Sequence, residues 1–61
     1  MFELDRTYEY CTIREPQGNG RYIYVSGYRN GKYSFTTDYL YAKAYTEKTA
    51  TMHKDTLNER G

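Results

Sequence analysis

Cys11 and His53 are the one thiol and the one imidazole of this chain, the residue types from which a nucleophile and its general base are built. Activation needs the base within hydrogen-bond reach of the thiol and a third group to orient it. Cys11 falls inside an alternating stretch on the side expected to face a core, so a buried structural cysteine is the expectation, and His53 is expected to flank a charged helix. A single cysteine makes no internal disulfide, and one histidine beside it does not complete a four-ligand zinc site. Asp38, Glu47, Asp55 and Glu59 have no carboxylate neighbour to split their proton affinities, which leaves paired acid and base work without support. "GNG" and "RNGK" are glycine turns outside the strand-to-helix setting that a phosphate-cradling loop requires. The residues therefore nominate no catalytic group, no metal ligand and no cofactor.

One constellation does have a mechanism. The stretch "RYIYVSGYRNGKYSF", residues 21–35, holds four tyrosines, one phenylalanine and three cations, and no acid. The whole chain carries only +1, and residues 1–15 are acid-rich, so the cations gather where the rings do. A base stacked on such a ring gains roughly 1–3 kcal/mol, with cations beside it for phosphates. Tyrosine and arginine are equally the residues enriched at protein-binding hot spots. The candidate binding residues are Tyr22, Tyr24, Tyr28, Arg29 and Lys32, joined by Tyr8, Tyr10 and Arg21.

These side chains need elements to hold them. Residues 7–15, "TYEYCTIRE", alternate and are rich in β-branched and aromatic types, which predicts a first strand ended by Pro16, with "PQGNG" as a loop. Residues 21–29 resume the alternation, and Asn30-Gly31 is the strongest short hairpin signal, because a type I′ turn needs two residues at positive φ. "KYSFTT" is then the third strand, with Arg29 opposite Lys32 and Tyr28 opposite Tyr33. Asp38 could cap a short helical turn with "AKAY" following as a brief fourth strand, or open one longer helix; Thr46 as a fresh helix start favours the first. Thr46 caps a C-terminal helix whose stripe runs through Ala50, His53 or Lys54, and Leu57, with Arg60 and Gly61 as stop signals.

One helix covers one face of such a sheet, so the other face meets solvent or a partner. Cys11, Ile13, Ile23 and Val25 have no polar atom to leave in water, whereas a tyrosine keeps its hydroxyl wet. The aliphatic face is expected to receive Leu40, Ala50 and Leu57. Strict register places Phe35 with Tyr22, Tyr24, Tyr28 and Tyr33, and a bulge at Ser26 and Gly27 would shift that phase once.

At 61 residues this is a single small α+β domain, a three- or four-stranded antiparallel meander with one C-terminal helix packed on one face. Its stability is modest enough that a homodimer or a bound partner would supply the missing few kcal/mol. Acids and Arg6 interrupt the opening residues before any signal-peptide run develops, and no stretch approaches the roughly 20 apolar residues of a membrane span. A cytoplasmic protein without a membrane partner is the expectation.

Residues 28–58 resemble small proteins of temperate phages and prophages of Gram-positive bacteria: a tight hairpin, then Phe35-Thr36, then Ala42, Lys43 and Tyr45, a Thr46 cap and an alanine-bearing helix with Ala50. That resemblance implies a genomic setting, the bacterial host cell, and no mechanism. A fainter likeness, in order of elements only, is to the arm-binding domains of phage and transposon integrases, from which this chain differs by its low charge and acidic first strand. The expected function is non-enzymatic: a phage accessory protein that binds a host protein, such as a defence or replication component, through the tyrosine-rich basic hairpin. A small nucleic-acid-binding module using the same hairpin is the alternative.

Overall fold

The computed structural model describes residues 1–60. Four strands, β1 (Glu3–Arg6), β2 (Cys11–Gly18), β3 (Arg21–Arg29) and β4 (Lys32–Thr36), are followed by a 3-10 turn at Tyr39–Tyr41 and the helix α1 (Glu47–Arg60). The strands make one antiparallel sheet in the order β1-β2-β3-β4. The α+β meander closed by a C-terminal helix is as the sequence predicts, with four strands.

Two boundaries move. The expected first strand begins too early: residues 7–10 are a turn, closed by Thr7 donating its N–H to the Tyr10 carbonyl at 2.9 Å and its hydroxyl to the same oxygen at 3.0 Å. The fourth strand is Glu3–Arg6 and not "AKAY". From that tetrapeptide Tyr45 makes a single bridge with Cys11, and Lys43 gives its N–H to the Val25 carbonyl. Pro16 does not end β2 either, because it lies opposite Tyr22 inside the ladder. Cys11 spends both its N–H and its C=O on Tyr45, along the edge of β2 away from β1. By alternation the main-chain groups of Thr12, Arg14 and Pro16 face β1's side, so the hydrogen that proline lacks is not one β3 needs.

Both inner hairpins turn on Asn-Gly. Asn30 and Gly31 take φ of 52° and 79°, and Asn19 and Gly20 take 55° and 72°. The hydrogen-bonding edge and the two-residue turns fix register up to two defects: the β2–β3 ladder shifts between Pro16 and Gly18, and the β3–β4 ladder shifts between Val25 and Gly27, leaving Ser26 bulged. Phe35 consequently opposes Val25, as the expected bulge requires.

Ile13 and Val25 are fully buried, and with Cys11 and Ala50 they form the core, against which Phe2, Leu4, Tyr33, Tyr45 and Leu57 pack. Alternation from Ile13 and Val25 places all these strand residues on the helix side. Thr46 caps α1 as expected, its hydroxyl accepting the Thr49 N–H at 3.4 Å. Asn58 then clamps the start of the chain, accepting the Phe2 N–H at 2.8 Å and donating to the Phe2 carbonyl at 3.1 Å. Leu40 corrects another expectation: it lies outside the core at 85% exposure. Asp38 caps its turn through the Leu40 N–H at 2.9 Å and thereby lifts Leu40 off the sheet. Gly61, expected as a stop signal, lies outside the described residues. Among those residues no helix is long and apolar enough to cross a membrane.

The molecule is a slab of 29 × 28 × 16 Å, a thickness that accommodates one sheet and one helix layer. The second face of the sheet is left to the solvent side.

Candidate functional site

Cross-strand alternation sets the composition of the face away from α1. Glu3 and Asp5 of β1, Thr12 and Arg14 of β2, Tyr22 and Tyr24 of β3, and Ser34 and Thr36 of β4 all point there. Arg14 organises its centre: Nε donates to Glu3 at 2.9 Å, Nη1 is 3.6 Å from Asp5, and the guanidinium lies 4.1 Å from the Tyr22 ring centroid. The Glu3 hydrogen bond, reinforced by Asp5, raises the Arg14 pKa further above its ordinary value. Arg14 therefore holds Tyr22 in place and pairs with the two acids of β1.

From Tyr22 the aromatic surface continues to Tyr24, with centroids 6.2 Å apart, and from Tyr24 edge-on to Tyr39 of the 3-10 turn at 5.5 Å and 72°. Beside these rings lies a groove of about 640 Å³ lined by Gln17, Gly20, Arg21, Tyr22, Tyr24, Thr37 and Tyr39. No acid lines it. Following Tyr39 in the chain, Leu40 and Tyr41 stand out at 85% and 70% exposure, an apolar tip to the same 3-10 turn.

The candidate residues do not all meet here. Arg21, Tyr22 and Tyr24 line the groove. Tyr8 is 99% exposed and Tyr10 is half exposed in the β1–β2 turn. Arg29 and Lys32 close the hairpin at the opposite end of β3 from Arg21. At about 3.3 Å per residue, that separation is about 25 Å. The basic stretch is contiguous in sequence and divided in space.

Tyr28 belongs to a different assembly. The bulge at Ser26 turns Tyr28 and Tyr33 to the helix side, where they surround His53 of α1 together with Tyr45, at centroid distances of 4.7, 5.4 and 5.1 Å. His53 is only 6% exposed, and its Nδ1 shares a 2.7 Å hydrogen bond with the Tyr33 hydroxyl, the direction following the imidazole tautomer. The expected helix-flank histidine is thus a core member. Burial pushes the Tyr33 hydroxyl above the ordinary tyrosine pKa, helped by Tyr28, and burial does the same to Tyr45. Cys11 is buried as expected. Among the described residues no three His, Cys, Asp or Glu side chains gather as a metal set.

Sequence reasoning missed Arg14, Gln17, Thr37 and Tyr39 as parts of the site. Tyr39 carried a signal: the Asp38 cap directs the residues after it into a turn at the end of β4. Arg14 carried none, because its partners Glu3 and Asp5 sit on a strand hidden among charges.

Compared with known proteins, the chain matches no family model, and neither a curated protein nor a solved structure shows detectable similarity to it.

Proposed function

We propose that this chain is a non-enzymatic accessory protein of a phage or prophage that acts by binding a host protein, in the manner of an inhibitor of a defence component. The contact surface is the groove beside Tyr22, Tyr24 and Tyr39 together with the Leu40–Tyr41 tip. The observation that carries this reading is an 85% exposed Leu40 flanked by exposed tyrosines, one of which, Tyr39, lines an aromatic groove. A small chain with so little core has few large apolar residues to leave in water, and grouped ones mark interaction sites.

The nucleic-acid alternative draws support from Arg21 beside stackable rings. It has less behind it than the composition suggested, since Arg29 and Lys32 sit at the far end of β3 and few phosphates are within reach of the groove.

The test pairs capture with substitution. Immobilised wild-type protein retains a host protein from bacterial lysate, and Tyr24→Ala and Leu40→Asp each abolish retention while circular dichroism stays unchanged. Equal retention by wild type and both variants, or micromolar oligonucleotide binding that falls as salt rises and no retained protein, overturns the proposal.

A further inference from the structure

The aromatic groove borders a length of β3 that has no neighbour on one edge. β3 starts at Arg21, but its pairing with β4 begins only at Tyr24↔Thr36. β4 stops there because Asp38 bends the chain away: its N–H is taken by the Thr36 hydroxyl at 3.1 Å and its carboxylate by the Leu40 N–H.

The direction of the unpaired groups follows from two independent observations. Pro16 opposite Tyr22 has no N–H to give, so the Tyr22 carbonyl is not bonded to β2 there. The Cys11–Tyr45 exchange sets the alternation along β2 and puts Pro16 at a position whose main-chain groups face β1's side. Pro16 and Tyr22 are therefore a non-hydrogen-bonded pair, and the Tyr22 N–H and C=O both point out of the edge that β4 vacates. An unpaired N–H and C=O on an open strand edge are a template for another strand. A residue added opposite Tyr22 would lay its side chain against the Tyr22 ring, in the groove.

Charge identifies the occupant. Arg21 makes no ion pair among the described residues, and no carboxylate lines the groove beside it. Resting on the reading that the groove binds a partner protein, we propose that the partner contributes a short extended acidic peptide segment. It adds to β3 at Tyr22 in the antiparallel sense that β4 follows, and its carboxylates lie at its C-terminal end beside Arg21. The open stretch of three residues is about 10 Å long, so two main-chain hydrogen bonds and one ion pair are what it offers.

The experiment is amide hydrogen exchange by NMR on the intact chain, free and with the synthetic peptide acetyl-Thr-Val-Thr-Val-Glu-Glu-amide at millimolar concentration. In the free protein the Tyr22 N–H exchanges near the unfolded rate while the Tyr24 N–H is protected. The acidic peptide slows Tyr22 exchange and shifts the Arg21, Tyr22, Thr37 and Tyr39 resonances, and the Lys-Lys counterpart binds at least about fivefold more weakly. Protection of Tyr22 in the free protein overturns the proposal, and protection that grows with protein concentration assigns the edge to a second copy instead. Equal binding of the two peptides, or no binding of either, also overturns it. A host protein whose capture depends on Tyr24 and Leu40, yet leaves Tyr22 in fast exchange, overturns strand addition while the groove reading stands.

Discussion

Tyr22 and Tyr24 at one end of β3 and Tyr28 at the other are the same residue type on the same strand, yet they do opposite work. The first two rings lie on the open face, carried by Arg14 and extended by Tyr39. Tyr28, with Tyr33 across the hairpin, lies on the helix side against His53. What separates them is one bulged residue, Ser26, which inverts the face that β3 presents from there on. A single additional backbone unit decides whether a tyrosine is part of the interior or part of a surface offered to others.

Adding a second such unit is the most severe way to break the contrast, because deleting Ser26 would leave Val25 opposite Phe35 and Tyr28 opposite Tyr33 on the helix side. Insertion of one alanine between Gly27 and Tyr28 should turn Tyr28 to the open face, take its ring away from His53 and abolish the cooperative urea transition expected of the wild type. Next in size, Ile13→Ala opens a cavity in a core with four buried apolar members among the described residues, and should cost about 3 kcal/mol in urea unfolding. Tyr24→Ala on the other face should cost about 1 kcal/mol or less, even as it abolishes binding. Comparable losses at the two positions would refute the division of labour.

The His53 cluster should also reveal itself by titration. Tyr33 and Tyr45 hold their protons more tightly folded than unfolded, so their contribution to stability is complete below the ordinary tyrosine range near pH 10 and declines as pH rises through it. Thermal unfolding should shift to lower temperature above about pH 10. Tyr33→Phe should flatten that fall and cost about 1 kcal/mol at neutral pH through loss of the His53 hydrogen bond.

One effect runs the other way. Thr12 points away from α1 but is 6% exposed, and its hydroxyl is buried without a partner. Thr12→Val should therefore raise the urea midpoint, by roughly 1 kcal/mol of stability. A drop would mean that the hydroxyl is satisfied in solution.

The sequence revealed those parts of the fold that rest on local chemistry. Asn30-Gly31 set the tight hairpin, Asp38 and Thr46 marked two helical starts, and Gly27 within a strand pattern announced the bulge. It hid β1, where Glu3, Asp5 and Arg6 surround Leu4 and a strand stabilised by cross-strand ion pairs reads as a polar terminus. It misled over Pro16, because whether a proline interrupts a ladder depends on which edge its missing hydrogen would face. Leu40 read as core on hydrophobicity alone, and the Asp38 cap overrode it. Of the site, the ring pair Tyr22 and Tyr24 with Arg21 was legible. The groove's other wall comes from residues whose placement depends on where β4 stops.

The strand of backbone at Lys43 and Tyr45 has a consequence for how the molecule is assembled. Lys43 donates its N–H to the Val25 carbonyl at 2.9 Å, and Tyr45 exchanges both main-chain bonds with Cys11 at 2.8 Å. These late residues thus fasten together two early strands at the end where their own ladder has run out. During synthesis the β3–β4 hairpin is able to form on its own, but the upper seam stays unlatched until residue 45 has emerged. Closure of the sheet and docking of the helix that starts two residues later are then a single event.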